Sequence, residues 1–320
     1  MLSRVADSLY WMSRYLERAE NTARQLDVTM TLMLDGGAST LEHRWHRMVE
    51  SLGHPTALEW RENIDEAAHQ VIFDRNLPPS ICYCITTARE NARQVREEIS
   101  TEQWQRLNRL FHHIHSPLAR EQFNNSAGEF LTTILDGIHL FKGVTDTTMI
   151  HGQGWQFIRL GRHLERAYAT ATLLEAFQKY AHLEWDQHGA GYPYLEQVGL
   201  LRCCTAFEAY CQFYTADVSM DRVIEFLLLN SEFPHAIRYS VDSTMQAIEA
   251  IRQSSSRRAS DELKASIGRL HAMLRYTTIQ EILSGGAGVF LHTIRRECTR
   301  IHEQIYRHYV NYSIQAALVN

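Results

Sequence analysis

Arg14-Tyr15-Leu16-Glu17-Arg18-Ala19 is matched at every position but one by Arg162-His163-Leu164-Glu165-Arg166-Ala167, 148 residues further on. Around the first copy, Val5, Leu9, Met12, Leu16, Ala19, Ala23, Leu26, Met30 and Met33 recur at helical spacing, the stripe of a long helix with one buried face. The predicted helix runs from Ser3, an amino-cap residue, to Leu34, before the stop signal Asp35-Gly36-Gly37. The second copy lies in a predicted helix over Trp155 to Tyr180. Two long helices with one shared polar pattern predict an all-α, extended multi-helix bundle. It would be a single helical domain over 1–320 with related halves at about 1–142 and 143–320.

The rest of the chain reads as shorter helices. They are predicted over Thr40–Leu52, Ala57–Phe73, Ser80 to Ile99, Thr101 onward through Leu110, and Pro117 to Phe141. Gly143 to Gly154 reads as a threonine- and glycine-rich connection with room for some helix, and Gly189 to Pro193 as a loop. Further helices are expected over Tyr194–Thr215, Met220–Leu229, His235–Arg252, Asp261–Arg275 and Val289–Ile314, with Ser284 to Gly288 flexible. Pro is rare, with 6 in 320 residues, which favours long helices; no segment alternates with the period of a strand.

Composition excludes several function classes. A net charge of -5, with Arg interleaved with acids, gives no basic stripe for a nucleic-acid backbone. No apolar run approaches the ~20 residues of a membrane span. The opening Met1 to Asp7 lacks a secretory signal, so a cytoplasmic location is expected. The six cysteines, Cys82, Cys84, Cys203, Cys204, Cys211 and Cys298, form no zinc-site spacing and read as free, mostly buried thiols, with Cys204 and Cys211 on one helix face. Glu232 to His235 is a Glu-x-x-His that Pro234 interrupts, which argues against a di-iron bundle; no metal is expected. His112, His113 and His115 read as an exposed helix end. No phosphate-binding glycine motif follows a strand, and the order of residues supports no Ser-His-Asp or Cys-His arrangement.

The polar motif residues admit two readings. One residue beyond Leu16 and Leu164 on the helix, Glu17 and Glu165 fall at the margin of the buried face, with Arg14 and Arg162 three residues before them as same-face partners. Glu20 with Arg24 adds a pair in the first copy alone. Exposed, such pairs contribute roughly 0 to 1 kcal/mol and only set register. Buried, or shared with a ligand, they would explain why Arg18 and Arg166 recur too. Arg89, Glu90, Asn91 and Arg93 form a second polar group whose guanidiniums could grip a carboxylate or phosphate, or bind Glu17 or Glu165. Glu208, inside an apolar stretch, is expected to need a partner. His163, at a helix margin, reads as a hydrogen-bonded structural residue.

On these motifs the sequence resembles the bacterial alpha-E family. The resemblance extends to Ser3-Arg4-Val5-Ala6-Asp7-Ser8-Leu9-Tyr10-Trp11, Ala88 to Arg93, Gly154-Trp155-Gln156-Phe157, Ala206 to Tyr210, and Glu225 to Leu229 with Phe233-Pro234. It implies partnership with a circularly permuted ATP-grasp protein, alongside transglutaminase-like and sometimes proteasome-like proteins. The function so implied is helping an ATP-grasp amide ligase in peptide ligation or modification, with ATP and Mg2+ held by the ligase and no cofactor by this chain. The binding of ligase or peptide substrate would use a polar Glu/Arg cleft. Two other readings stay open: paired Glu residues acting as acid and base on a peptide or amino acid, and a purely structural scaffold.

Overall fold

The structure, a computed structural model, describes residues 2–33, 38–53, 64–184, 192–215, 217–254 and 261–310. The two motif helices are its axis: α1 (Ser3–Met33) and α8 (Gln153–Glu184) pack directly against each other. Leu16 and Leu164 are both buried in this contact, each contributing about 1.5–3 kcal/mol by leaving water. The helices approach closely at Gly161, where a Cβ would collide with Ser13 Oγ and the Tyr10 carbonyl. Ser13 and Gly161 are 148 residues apart, the same offset as the two motifs.

The other helices wrap this pair. α2 (Ala38–Ser51), α3 (Ile64–Phe73) and α4 (Ile81–Gln94) are followed by α5 (Thr101–Ile114), α6 (Ala119–Asn125) and α7 (Ala127–Thr148). After α8 come α9 (Tyr192–Cys203), α10 (Phe207–Tyr214), α11 (Met220–Leu229), α12 (Ile237–Ser254), α13 (Asp261–Tyr276), α14 (Ile279–Gly285) and α15 (Ala287–Ile305), with a π-helical turn at Tyr306–Val310. α4, α7 and α9 flank α1, while α12, α15 and α2 flank α8. The protein is all-α, and no strand occurs among the described residues.

Local chemistry sets the boundaries. Ser80, after Pro78-Pro79, caps α4 by accepting from Tyr83 N at 3.1 Å, and Ser100 and Gln103 form a capping box on α5. Ser3 is not the cap of α1: the Leu2 carbonyl accepts from Val5 and Ala6, which puts Ser3 inside the helix. α4 ends at Gln94 rather than near Ile99. α7 continues past Phe141 through Gly143 to Thr148, the helical part of the expected connection. Its threonines stay helical because Thr145, Thr147 and Thr148 donate to carbonyls of the preceding turn. α7 therefore runs unbroken across 142/143 and carries Lys142 on a rigid element.

The helix expected over Tyr194–Thr215 is two, broken where Thr205 takes a positive φ of 50° and Ala206 N turns back to the Leu201 carbonyl. Cys204 and Cys211 consequently lie on different elements and share no helix face. Instead of a flexible stretch, Ser284 to Gly288 contains the end of α14 and the start of α15, which meet at Gly286, φ 88°. α14 itself begins with a Thr278–Glu281 capping box that the sequence reading missed. The expected stop at Asp35–Gly37, the start of the Ala57 helix, the loop near Gly189 and the tail beyond 310 lie outside the described residues.

Candidate functional site

The two Glu-Arg dipeptides at 17–18 and 165–166, the only ones in the chain, exchange partners where α1 crosses α8. Arg18 Nε donates to Glu165 Oε1 at 2.8 Å, and Arg166 Nε donates to Glu17 Oε1. Arg14 completes the first cluster, its Nε and Nη2 both 2.6 Å from Glu165 Oε2. The sequence pairing of Arg14 with Glu17 along one helix is thus replaced by pairing across the crossing. Arg162 does not mirror Arg14; it lies 3.6 Å from Asp146, and Lys142 of α7 takes the second cationic place on Glu17. Lys142 also bonds Glu20, which His139 reaches at 2.9 Å and Arg24 at 3.8 Å.

Glu17 and Glu165 are each 4% exposed, so they lie inside the packed face and not at its margin. Burial alone would raise both carboxyls. Arg14 and Arg18 outweigh it at Glu165, and Arg166 and Lys142 at Glu17, bringing each down to about 2. Burial is likewise overcome at Glu20, chiefly by Lys142, and its carboxyl is held well below the usual range. Three ionised acids and their cations form a buried network whose members are costly to remove singly. A third clamp of the same design stands apart, with Glu196 of α9 held by Arg44 and Arg47 of α2.

The two motif clusters open onto different spaces. Glu165, Arg14 and Arg18 wall a cavity of about 340 Å³ that also reaches Tyr168, Thr299 and His302. Glu17, Glu20, Arg24 and Arg166 border a crevice of about 20 Å³, room for little more than a water molecule. At the cavity, Tyr10 Oη lies 2.9 Å from His302 Nδ1 and 3.2 Å from Arg14 Nη1. Burial, then the Arg14 charge, hold His302 down at about 4, so its ring is neutral near pH 7.

The remaining sequence candidates do not converge there. Arg89 Nε donates to Asn108 at 2.7 Å, its guanidinium lies 4.4 Å from the Phe111 ring centroid, and both Arg89 and Arg93 bond Glu90. Asn91 donates to the Thr87 carbonyl. This group braces α4 against α5 and reaches neither motif acid. Glu208 is exposed in the first turn of α10, where the helix dipole and water stabilise it, and it needs no buried partner. His163 is buried beside Tyr239, and burial with the charges of Arg166 and Arg162 keeps it neutral.

Other residues emerge only in three dimensions. Lys142, His139 and His302 carried no motif, and Tyr10 stood in the opening stretch with no role assigned; their signal is the helix that brings each to the crossing. The histidines at the end of α5 are not simply exposed: His113 stacks on Phe130, and His115 on Phe111 at 4.1 Å. His115 Nε2 is 3.5 Å from Cys82 Sγ, a Cys-His contact that chain order did not suggest. Burial raises that thiol, which therefore stays protonated near pH 7. Among the described residues no group of three or more His, Cys, Asp or Glu is arranged to hold a metal ion.

A family defined as a predicted alpha-helical domain with a conserved ER motif matches residues 1–310. The chain belongs to this Alpha-E family. It is also similar to uncharacterized proteins of Mycobacterium bovis and Mycobacterium tuberculosis, at 23% identity over 297 residues, covering 84% of this chain and 32% of each relative. This Alpha-E chain therefore spans about a third of the length of the curated relatives it matches. No solved structure matches it. Among its described residues, no helix is long and apolar enough to cross a membrane.

Proposed function

We propose that this Alpha-E chain is the cytoplasmic helical partner of an ATP-grasp amide ligase in a bacterial peptide ligation or modification system. In this reading the cavity beside Glu165 receives ligase or peptide, and ATP and Mg2+ belong to the ligase. The observation that carries the reading is the cavity wall itself, where two guanidiniums face one carboxylate and leave a positive charge for an incoming acid. The relatives add support: roughly two thirds of each lies outside the matched part, as expected for a domain that works beside another polypeptide. Transglutaminase-like and proteasome-like proteins would act elsewhere in the same system.

The rival reading, in which Glu17 and Glu165 are acid and base, conflicts with their chemistry. Both are ionised far below neutral pH, and both Glu165 oxygens are taken by guanidinium donors. Neither has a proton to give at pH 7. We also read the chain as two related halves. The reciprocal Arg18–Glu165 and Arg166–Glu17 bonds, and the meeting of Ser13 with Gly161, support descent of α1 and α8 from one ancestral helix.

The test is co-expression with the ATP-grasp protein encoded nearby, reading complex formation and ATP-dependent ligation of peptides. A complex, with ligation lost on deleting this chain and reduced by Thr299→Trp in the cavity, is expected. Absence of a complex together with ligation that does not depend on the chain would sink the proposal.

A further inference from the structure

We infer that the cavity beside Glu165 is a carboxylate site, in which the Arg18 guanidinium and the Nε2–H of His302 receive a carboxylate borne by a peptide. This rests on the proposed role of the cavity as the receiving part of a ligation system, and names the group it receives.

The hydrogen-bond chain assigns the His302 tautomer. Arg14 Nη1 has only protons to give, so Tyr10 Oη accepts from it. The Tyr10 hydroxyl proton then goes to His302 Nδ1, 2.9 Å away. A neutral imidazole accepting at Nδ1 carries its own proton on Nε2. His302 lines the cavity, so its remaining polar atom is a donor there.

The other lining groups point to the same ligand. Thr22, Thr172 and Thr299 each give their hydroxyl proton to a backbone carbonyl. Tyr168 accepts from Arg295 Nη2 at 3.3 Å and so keeps its phenol proton to donate. Glu165, the only carboxylate on the wall among the described residues, meets the Nε and Nη2 atoms of both Arg14 and Arg18, which leaves it no strong acceptor site for an ammonium ion. With both arginines ionised against one carboxylate, the wall keeps a single positive charge. That matches a monoanion better than a phosphate dianion, which would be left half neutralised in a semi-enclosed site. A volume of about 340 Å³ has room for a short peptide segment and lies within the range of small-molecule pockets.

A carboxylate can come from a chain end or from a side chain, and calorimetric titration of the full chain separates the two. One arm uses N-acetyl-alanyl-alanine and the other N-acetyl-glutamic acid α-amide, each against its neutral amide. At least one acid is expected to bind about tenfold or more tightly than its amide, the increment of a charge-assisted hydrogen bond. His302→Phe, which keeps the ring and removes its donor, is expected to weaken that acid about threefold to tenfold, and Arg18→Gln at least as much. If Arg18→Gln does not fold, His302→Phe and the acid–amide comparison decide. Equal binding of acid and amide, binding untouched by His302→Phe, or no binding of either acid would overturn the inference. A ligase complex that forms while both acids fail to bind would remove this inference and leave the proposed function. Acid binding without a ligase complex would do the reverse.

Discussion

Glu165 and Glu17 occupy the same position in two copies of one motif, yet they end in different surroundings. Glu165 is gripped by two arginines from one helix, Arg14 and Arg18, and looks into a cavity. Glu17 is gripped by Arg166 from α8 and Lys142 from α7, shares Lys142 with Glu20, and faces a crevice a water would fill. One exchange of charges thus gives a closed end and an end that opens onto a cavity. The difference comes from the neighbours, Lys142 and Glu20 on one side and Tyr10 and His302 on the other, and not from the motif.

The comparison breaks most readily at Glu165. Glu165→Gln strands Arg14 and Arg18 in the interior with no other acid among the described residues of the cavity wall, and is expected to cost about 3–5 kcal/mol in urea denaturation, the scale of an orphaned buried charge. Gly161→Ala forces α1 and α8 apart where Gly161 meets Ser13 and Tyr10, with an expected loss of about 1–3 kcal/mol by the same measurement. Glu17→Gln should cost less than Glu165→Gln, about 1–3 kcal/mol, because Glu20 remains beside Lys142 and its charge also favours the ionised form of Arg166. Equal losses at the two acids would erase the distinction between the ends.

Much of this arrangement was legible in the sequence, and the part that was not has a physical reason. The apolar stripe through Leu9, Leu16 and Leu26 showed where α1 would pack, and the recurrence of Leu-Glu-Arg-Ala picked out α8 as a comparable helix. Periodicity places a residue on a face, however, and not opposite a particular partner. Arg14 sits three residues from Glu17 and could have paired along its own helix; only the crossing at Gly161 shows that Glu165 is nearer. Lys142 was hidden for another reason. The threonines and Gly143 after it imitate a loop, but their hydroxyls are satisfied within the helix, so α7 continues. Arg89, Glu90 and Arg93 misled because local pairs on one helix look the same in sequence whether they serve a site or brace a neighbour.

Acid sharpens the comparison further. His235 and His302 are half-buried and neutral, pushed down to about 3 and about 4 chiefly by desolvation. The unfolded chain takes up these protons near pH ~6.5 and the folded chain does not, so stability should begin to fall as pH drops below that value. Glu17 and Glu165, held at about 2 when folded, contribute stability that is complete above the unfolded carboxylate range and lost as pH falls toward 2. Denaturant midpoints measured from pH 8 downward should therefore decline gently at first and steeply below about pH 4.5. In Glu165→Gln the steep part should flatten. The smallest effect is expected at Glu208, where Glu208→Gln on the exposed start of α10 should change stability by less than about 0.5 kcal/mol.

A double-mutant cycle tests the exchange of partners most directly. Arg14→Gln is combined in turn with Glu165→Gln and with Glu17→Gln, and the coupling energies are read from urea denaturation. Pairing across the crossing predicts a coupling of about 1–3 kcal/mol between Arg14 and Glu165 and one near zero between Arg14 and Glu17. Strong coupling of Arg14 to Glu17, with little to Glu165, would contradict it.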